Sequence, residues 1–313
     1  MRTPPFVAAA LGCLSGILCA SAVLAQVDLS GNWVLVSTQS GREHATGPYP
    51  GDFSGIPLNV QGRQAGWAYS GDERQELYRQ CEPWSVSYIV TGPWGGRFTA
   101  ERDHYGHVIA WHLSSQAYDR LPMTIWMDGR AQPPPQALHT YDGFTTGHWE
   151  GNTLVTHTTH LKDSFLERNG APASSQETVN LFWTRHDDEL SVLGVMRDPV
   201  YLEAPWPVTQ TFRLTTAGSA DIVPEYCEDA EIVQGVSDGY HSATVLPDQL
   251  PAAQHYMQQH YNIPLEASQG GAATMYPEFS KRLAKTYKTP TNYCTQYCCT
   301  GRDAEKFCKN SNN

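Results

Sequence analysis

Between His104 and His160 the chain concentrates side chains that can move protons, hold anions or ligate metals. Asp128 and Arg130 flank Gly129 in Thr124-Ile125-Trp126-Met127-Asp128-Gly129-Arg130. They offer a carboxylate for proton transfer and a guanidinium fork for an anionic substrate or intermediate. His112 and His160 are candidate acid and base, because an unperturbed imidazole titrates at about 6.5. His112, His139 and His160 could also meet from different strands around zinc, copper, iron or nickel, leaving a position open for substrate. Trp126, His139, Trp149 and Trp183 are candidates for lining a binding cavity. Each has a plainer reading. Asp-Gly is a common strand-ending turn with Arg130 as a surface ion-pair partner, aromatic strand residues are more often core, and isolated histidines are often solvated or hydrogen-bonded. His157 and His160 point to opposite faces of a regular strand, so that pair does not chelate one metal. No serine sits in a G-x-S-x-G setting, and no glycine-rich phosphate loop occurs.

Positioning these residues falls to a run of short strands. Val34–Ser37, Arg97–Asp103, Val108–Ser115, Leu121–Met127, Gly143–Trp149, Thr153–Leu161, Glu177–His186, Leu190–Arg197 and Val208–Leu214 alternate with turn signals such as Tyr105-Gly106, Glu150-Gly151-Asn152 and Asp187-Asp188. Eight or nine strands with short connections predict a mainly β fold, an antiparallel meander closing into a barrel or folding as a sandwich to remove its edges. Helices are expected at the periphery. Leu58–Tyr78 would be capped by Asn59, with Val60, Trp67 and Leu77 inward and Gly62 and Gly66 weakening it. Asp248–Tyr261 and Tyr276–Lys288 follow the strands.

One positive charge at Arg2, an apolar run from Phe6 to Leu24 and a small residue at Ala25 predict a cleavable signal peptide over 1–25. Gly12, Ser15, Gly16 and Ser21 dilute that run below the about 20 apolar residues of a membrane span. A periplasmic or secreted protein without a membrane span after cleavage is expected, with a β-barrel-like domain at 26–216 and a helical, cysteine-rich appendage at 217–313. Of the 21 Lys+Arg, 20 remain after loss of Arg2, against 32 Asp+Glu. That acidic excess disfavours a nucleic-acid partner, whose backbone is bound by cations. Cleavage would leave Cys81, Cys227, Cys294, Cys298, Cys299 and Cys308, an even set that reads as disulfides in an oxidising compartment. Pairing Cys81 with Cys227 would close a loop of about 146 residues, worth roughly 4–5 kcal/mol; the four tail cysteines allow three pairings. The tail could serve as an attachment surface for a protein partner, or simply staple the C-terminus.

Two resemblances bear on function. Gly31-x-Trp33 resembles the glycine-x-tryptophan opening of lipocalin-type barrels, which implies a barrel with an internal cavity. The Trp126-Met127-Asp128-Gly129-Arg130 stretch, His139, Gly147-His148-Trp149-Glu150-Gly151, Thr158-Thr159-His160-Leu161-Lys162 and Arg168-Asn169-Gly170 form an ordered string. With Asp198-Pro199-Val200-Tyr201-Leu202, it resembles an uncharacterised family of secreted bacterial proteins over roughly Leu29 to Glu228. That implies a shared fold and export, with no activity attached; Ala131-Gln132 departs from the pattern. The favoured expectation is a secreted barrel that binds a small apolar or aromatic molecule in an internal cavity. The alternative is an exported lyase, isomerase or hydrolase that uses the barrel histidines.

Overall fold

The computed structural model describes residues 27–36, 51–68, 83–92, 95–115, 123–167, 169–216 and 264–287. The expected signal peptide, all six expected disulfide cysteines and the Asp248–Tyr261 helix lie outside these residues. Among the described residues no helix is long and apolar enough to cross a membrane.

Nine strands close into a barrel: β1 (Gly31–Leu35), β2 (Gly96–Arg102), β3 (Val108–Ser115), β4 (Met123–Trp126), β5 (Phe144–Glu150), β6 (Thr153–Thr159), β9 (Thr178–His186), β10 (Glu189–Arg197) and β11 (Trp206–Thr215). A small separate hairpin, β7 (Ser164–Phe165) with β8 (Pro172–Ala173), interrupts them. Around the wall the order is β1-β11-β10-β9-β6-β5-β4-β3-β2, and β2 pairs with β1 to close it. Closure leaves no free edge, as the alternating pattern predicts. The meander is broken at one place. β4 and β5 pair in parallel, Ile125 beside Thr145 and Trp126 beside Thr146. A parallel neighbour needs a long return connection, and residues 127–143, with Pro133-Pro134-Pro135, make that return along the outside.

Alternation sorts each strand into an inner and an outer face. Phe98, Trp111, Leu113, Met123, Ile125, Leu154, Val179, Leu181, Trp183, Leu190, Val192, Met196 and Phe212 are buried within one core. Trp183 meets the edge of Phe98 at 5.2 Å between centroids and 85°, and Phe98 meets Trp111 likewise at 6.2 Å and 79°. Trp33 is also buried, and its Nε1–H donates to the Leu29 carbonyl.

One end of the barrel, where β9 and β11 begin and β10 ends, carries a cap. Helix α2 (Tyr88–Thr91) is wholly buried there. Gly194 lets it approach, since a Cβ on Gly194 would lie 2.4 Å from Val90 Cγ2. Gln210 Nε2 donates to the Gly92 carbonyl at 2.9 Å. Helix α1 (Val60–Ala68) forms within the expected Leu58–Tyr78, of which residues 69–78, Leu77 included, lie outside the described residues. Its Asn59 does cap, accepting from the Gly62 amide at 2.9 Å. Two expectations invert. Val60 is 60% exposed rather than inward, and the glycines that weakened the helix are its contact surface. A Cβ on Gly62 would lie 2.5 Å from the Tyr201 carbonyl, and one on Gly66 equally close to the Phe53 ring.

Beyond the barrel, α3 (Leu265–Ser268) and a 3-10 turn at Ala272–Met275 bind segment 53–56. Phe53 N donates to Ser268 O, and Gly271 N to Ile56 O. The expected Tyr276–Lys288 helix forms as α4 (Pro277–Thr286), starting on Pro277 at a position that needs no amide donor. None of its residues is buried.

Candidate ligand-binding site

The crossover 127–143 lies on the outer wall and carries Asp128, Arg130 and His139 with it. Gln132 Nε2 donates to Thr146 Oγ1 and to the His157 carbonyl, while Gln132 Oε1 accepts from Thr159 Oγ1 at 2.7 Å. Asp128 and Arg130 form a two-toothed ion pair through Arg130 Nε and Nη2. That guanidinium holds the Asp128 carboxyl down to about 2. The same guanidinium lies 3.5 Å from the centroid of the Trp126 ring.

His112, one strand away, donates from Nε2 to Glu101 Oε2 at 2.8 Å in its neutral form, because a carboxylate can only accept. Its Nδ1 is then free to accept the Thr124 hydroxyl at 3.1 Å. Glu101 also raises the basicity of Arg130, after Asp128. His112, Asp128, Arg130 and Trp126 therefore share one stretch of outer wall. His160 does not join them. The strand ends at Thr159, His160 turns to φ 58°, and its ring bonds Thr159 Oγ1 and the Pro134 carbonyl. That left-handed turn takes His160 out of the regular strand alternation that would set it on the face of Leu154, Thr156 and Thr158. His139 lies 5.2 Å from His160, ring to ring, and donates from Nδ1 to the Leu161 carbonyl. Among the described residues no three His, Cys, Asp or Glu side chains gather as a metal centre would need, so the expected trio of His112, His139 and His160 is not assembled.

The four candidate cavity residues also divide. Trp126 and His139 lie outside, Trp149 and Trp183 inside. Trp183, Trp111, Trp33, Phe98 and Phe212 are at most 1% exposed, so protein side chains fill the middle of the barrel. The inner wall is different near the end opposite α2. Trp149 and Met127 are half-buried against the core, and Gly147 between them is hemmed in by Ile125, Met127 and Leu154. Here two indole donors, Trp111 Nε1 and Trp149 Nε1, are buried with no hydrogen-bond partner among the described residues. Trp111 pairs across the wall with Ile125, which touches Gly147, two residues before Trp149.

No family model matches the chain, and neither does any curated protein or solved structure. The site is therefore read from its geometry alone. Trp183 Nε1 reaches Thr156 Oγ1 and Thr145 bonds Thr158, so the rest of the polar inner wall between β5, β6 and β9 is paired. A buried donor left unpaired costs about 1–3 kcal/mol. Trp111 and Trp149 each carry one such donor on the inner wall.

Sequence reasoning missed Glu101, Thr124 and Gln132, whose roles come from cross-strand register. It also missed the buried Glu177 and Asp198. Asp198 stood in the resemblance string without a role of its own. Its carboxylate, 3% exposed, accepts from Ser174 N and Oγ and from the Val200 and Tyr201 amides. Asn169, from the same string, likewise bonds the Asp52 carbonyl and the Ala171 amide. Both motifs fasten the barrel's surroundings.

Proposed function

We propose that the protein is an exported β-barrel that binds a small apolar or aromatic molecule bearing a hydrogen-bond acceptor, at the end of its interior opposite α2. The unpartnered N–H groups of Trp111 and Trp149 carry this reading. An entering ligand displaces Met127, whose unbranched thioether repacks readily, and receives both indole donors. The aromatic layer of Phe98, Trp111 and Trp183 forms the floor. Titration with a panel of aromatic ketones, quinones and aryl carboxylates should give saturable changes in tryptophan fluorescence. Trp149→Phe, which keeps a ring and removes the donor, should weaken the best ligand about tenfold. Unchanged affinity in both Trp149→Phe and Trp111→Phe, or silence across the panel, removes the proposal.

The Glu101-His112-Thr124 chain favours a second reading, hydrolysis at the outer wall. Thr124 Oγ1 would attack the acyl carbon of an aryl ester while its proton passes to His112 Nδ1, and Glu101 would stabilise the resulting imidazolium. The bond from that carbon to the aryl oxygen then breaks, and the leaving phenol takes the proton back from the imidazolium. Water would then cleave the acyl-threonine and restore the hydroxyl. An aryl ester should be hydrolysed above buffer rate, and His112→Ala and Thr124→Val should each lose about 100-fold of that excess. Equal rates in wild type and both variants dispose of this reading.

A further inference from the structure

The capped end of the barrel holds a second unpaired group that the binding site does not use. Glu177 is 1% exposed, at the turn where its amide donates to the Ser174 carbonyl. Neither of its carboxyl oxygens accepts a hydrogen bond of good geometry. Its negative neighbour is Asp198, which is fully engaged by Ser174, Val200 and Tyr201. From the cap comes Ser87, buried and bonded to Ser85 at 2.6 Å. Three segments thus meet at one carboxyl: the cap with its helix α2, the turn before β9 and the turn after β10.

An isolated carboxylate in such a place is costly, and two adjacent ones more so. The simplest partner that removes the cost is a proton. We propose that Glu177 is a proton-binding site that couples closure of the barrel cap to pH: protonated, it is a neutral buried wedge under α2; ionised, it drives the cap open. The direction follows from its surroundings. Burial, and then the charge of Asp198, push the Glu177 carboxyl well above its usual range, and the Ser87 hydroxyl only moderates this. Tyr201 also titrates at this end, and its hydroxyl is raised by burial, then by Asp163 and Asp198. It is neutral through the range that matters and adds no positive charge to hold an ionised Glu177.

The sign is fixed by linkage. The closed state holds the proton more tightly than the open state, in which Glu177 is solvated and ordinary. Below the ordinary carboxyl range both states are protonated and closure is unaffected. As pH rises from there to the raised closed-state value, opening becomes more favourable by up to tenfold per pH unit. This device is independent of ligand binding at the opposite end.

The experiment is amide hydrogen exchange of the full chain from about pH 5 to about pH 9, corrected for the intrinsic rate at each pH. In the wild type the protection of residues 85–92 should fall steeply across that range, while β9 and β10 hold theirs. Glu177→Gln should flatten the profile. Glu177→Leu, which needs no hydrogen bond, is the second variant should the amide fold poorly, and it should also be flat. A flat wild-type profile, or a fall of equal steepness in a folded variant, overturns the proposal. Infrared difference spectra of wild type against Glu177→Gln give an independent readout. A protonated-carboxyl band at neutral pH, lost in the variant, is expected, and its absence counts against it.

Discussion

Replacing Asp198 with alanine should lower the stability of the folded chain by about 3–5 kcal/mol, read as a fall in the urea midpoint. The carboxylate is buried and gathers four donors: the Ser174 amide at 2.6 Å, the Ser174 hydroxyl at 2.8 Å, and the Val200 and Tyr201 amides at 2.8 and 3.2 Å. Alanine leaves three backbone amides without that acceptor, the Ser174 amide buried and those of Val200 and Tyr201 partly so. It also unfastens two turns at once, those leading into β9 and out of β10. Asn59 and Gly62 of α1 rest on the second of these, through the Val200 and Tyr201 carbonyls, so the loss should spread to that helix. Asp198→Asn should cost less, because the amide oxygen still accepts. It should also lessen the pH dependence of the cap, since it removes the charge facing Glu177. A midpoint for Asp198→Ala within about 0.5 kcal/mol of wild type would show that the turns hold without it.

Trp183→Ala should cost a similar amount, about 3–5 kcal/mol, by a different route. Trp183 is fully buried at the centre of the filled barrel. It pairs across the wall with Leu154 and Val192 and receives the edge of Phe98. The closed hydrogen-bonded wall cannot collapse inward, so truncation leaves a cavity as well as losing the transfer energy of the ring. Trp183→Phe keeps most of the ring and forfeits the bond to Thr156 Oγ1, 3.4 Å long, so its loss should be clearly smaller. Equal midpoints for Trp183→Ala and wild type would mean that the interior is not packed around this residue.

The crossover explains why so much of the anticipated chemistry surfaced outside the barrel. Strand periodicity assigns two faces to Trp126 and His157 and leaves open which of them looks inward. That choice was made by the larger apolar set, Met123 with Ile125 on β4 and Leu154 on β6, all buried. Trp126 and His157 then had to face outward, and the return segment 127–143 was laid over them. Gln132, standing where the resemblance pattern differs, became the residue that ties this segment to β5 and β6. Asp128 and Arg130 spend their charges on each other, so the pair reads more as a fastening of the crossover than as a substrate clamp.

By itself the sequence determined most of the strands, their turns and the mainly β class, with barrel or sandwich left open, because alternation and turn chemistry act over a few residues. β3 was read at Val108–Ser115 with the bounds it has, and the hairpin turns at Gly151 and Asp187 were visible as residues. Only the tertiary structure decided which strands became neighbours across long gaps. It made β4 and β5 parallel, put β9 beside β6 and closed β2 on β1. Those pairings placed Trp111 and Trp149 on one unpaired stretch of inner wall and brought Glu177 beneath the cap. Burial and lost hydrogen bonds are properties of whole assembled neighbourhoods. A lone glutamate heading a strand carries no local mark of either.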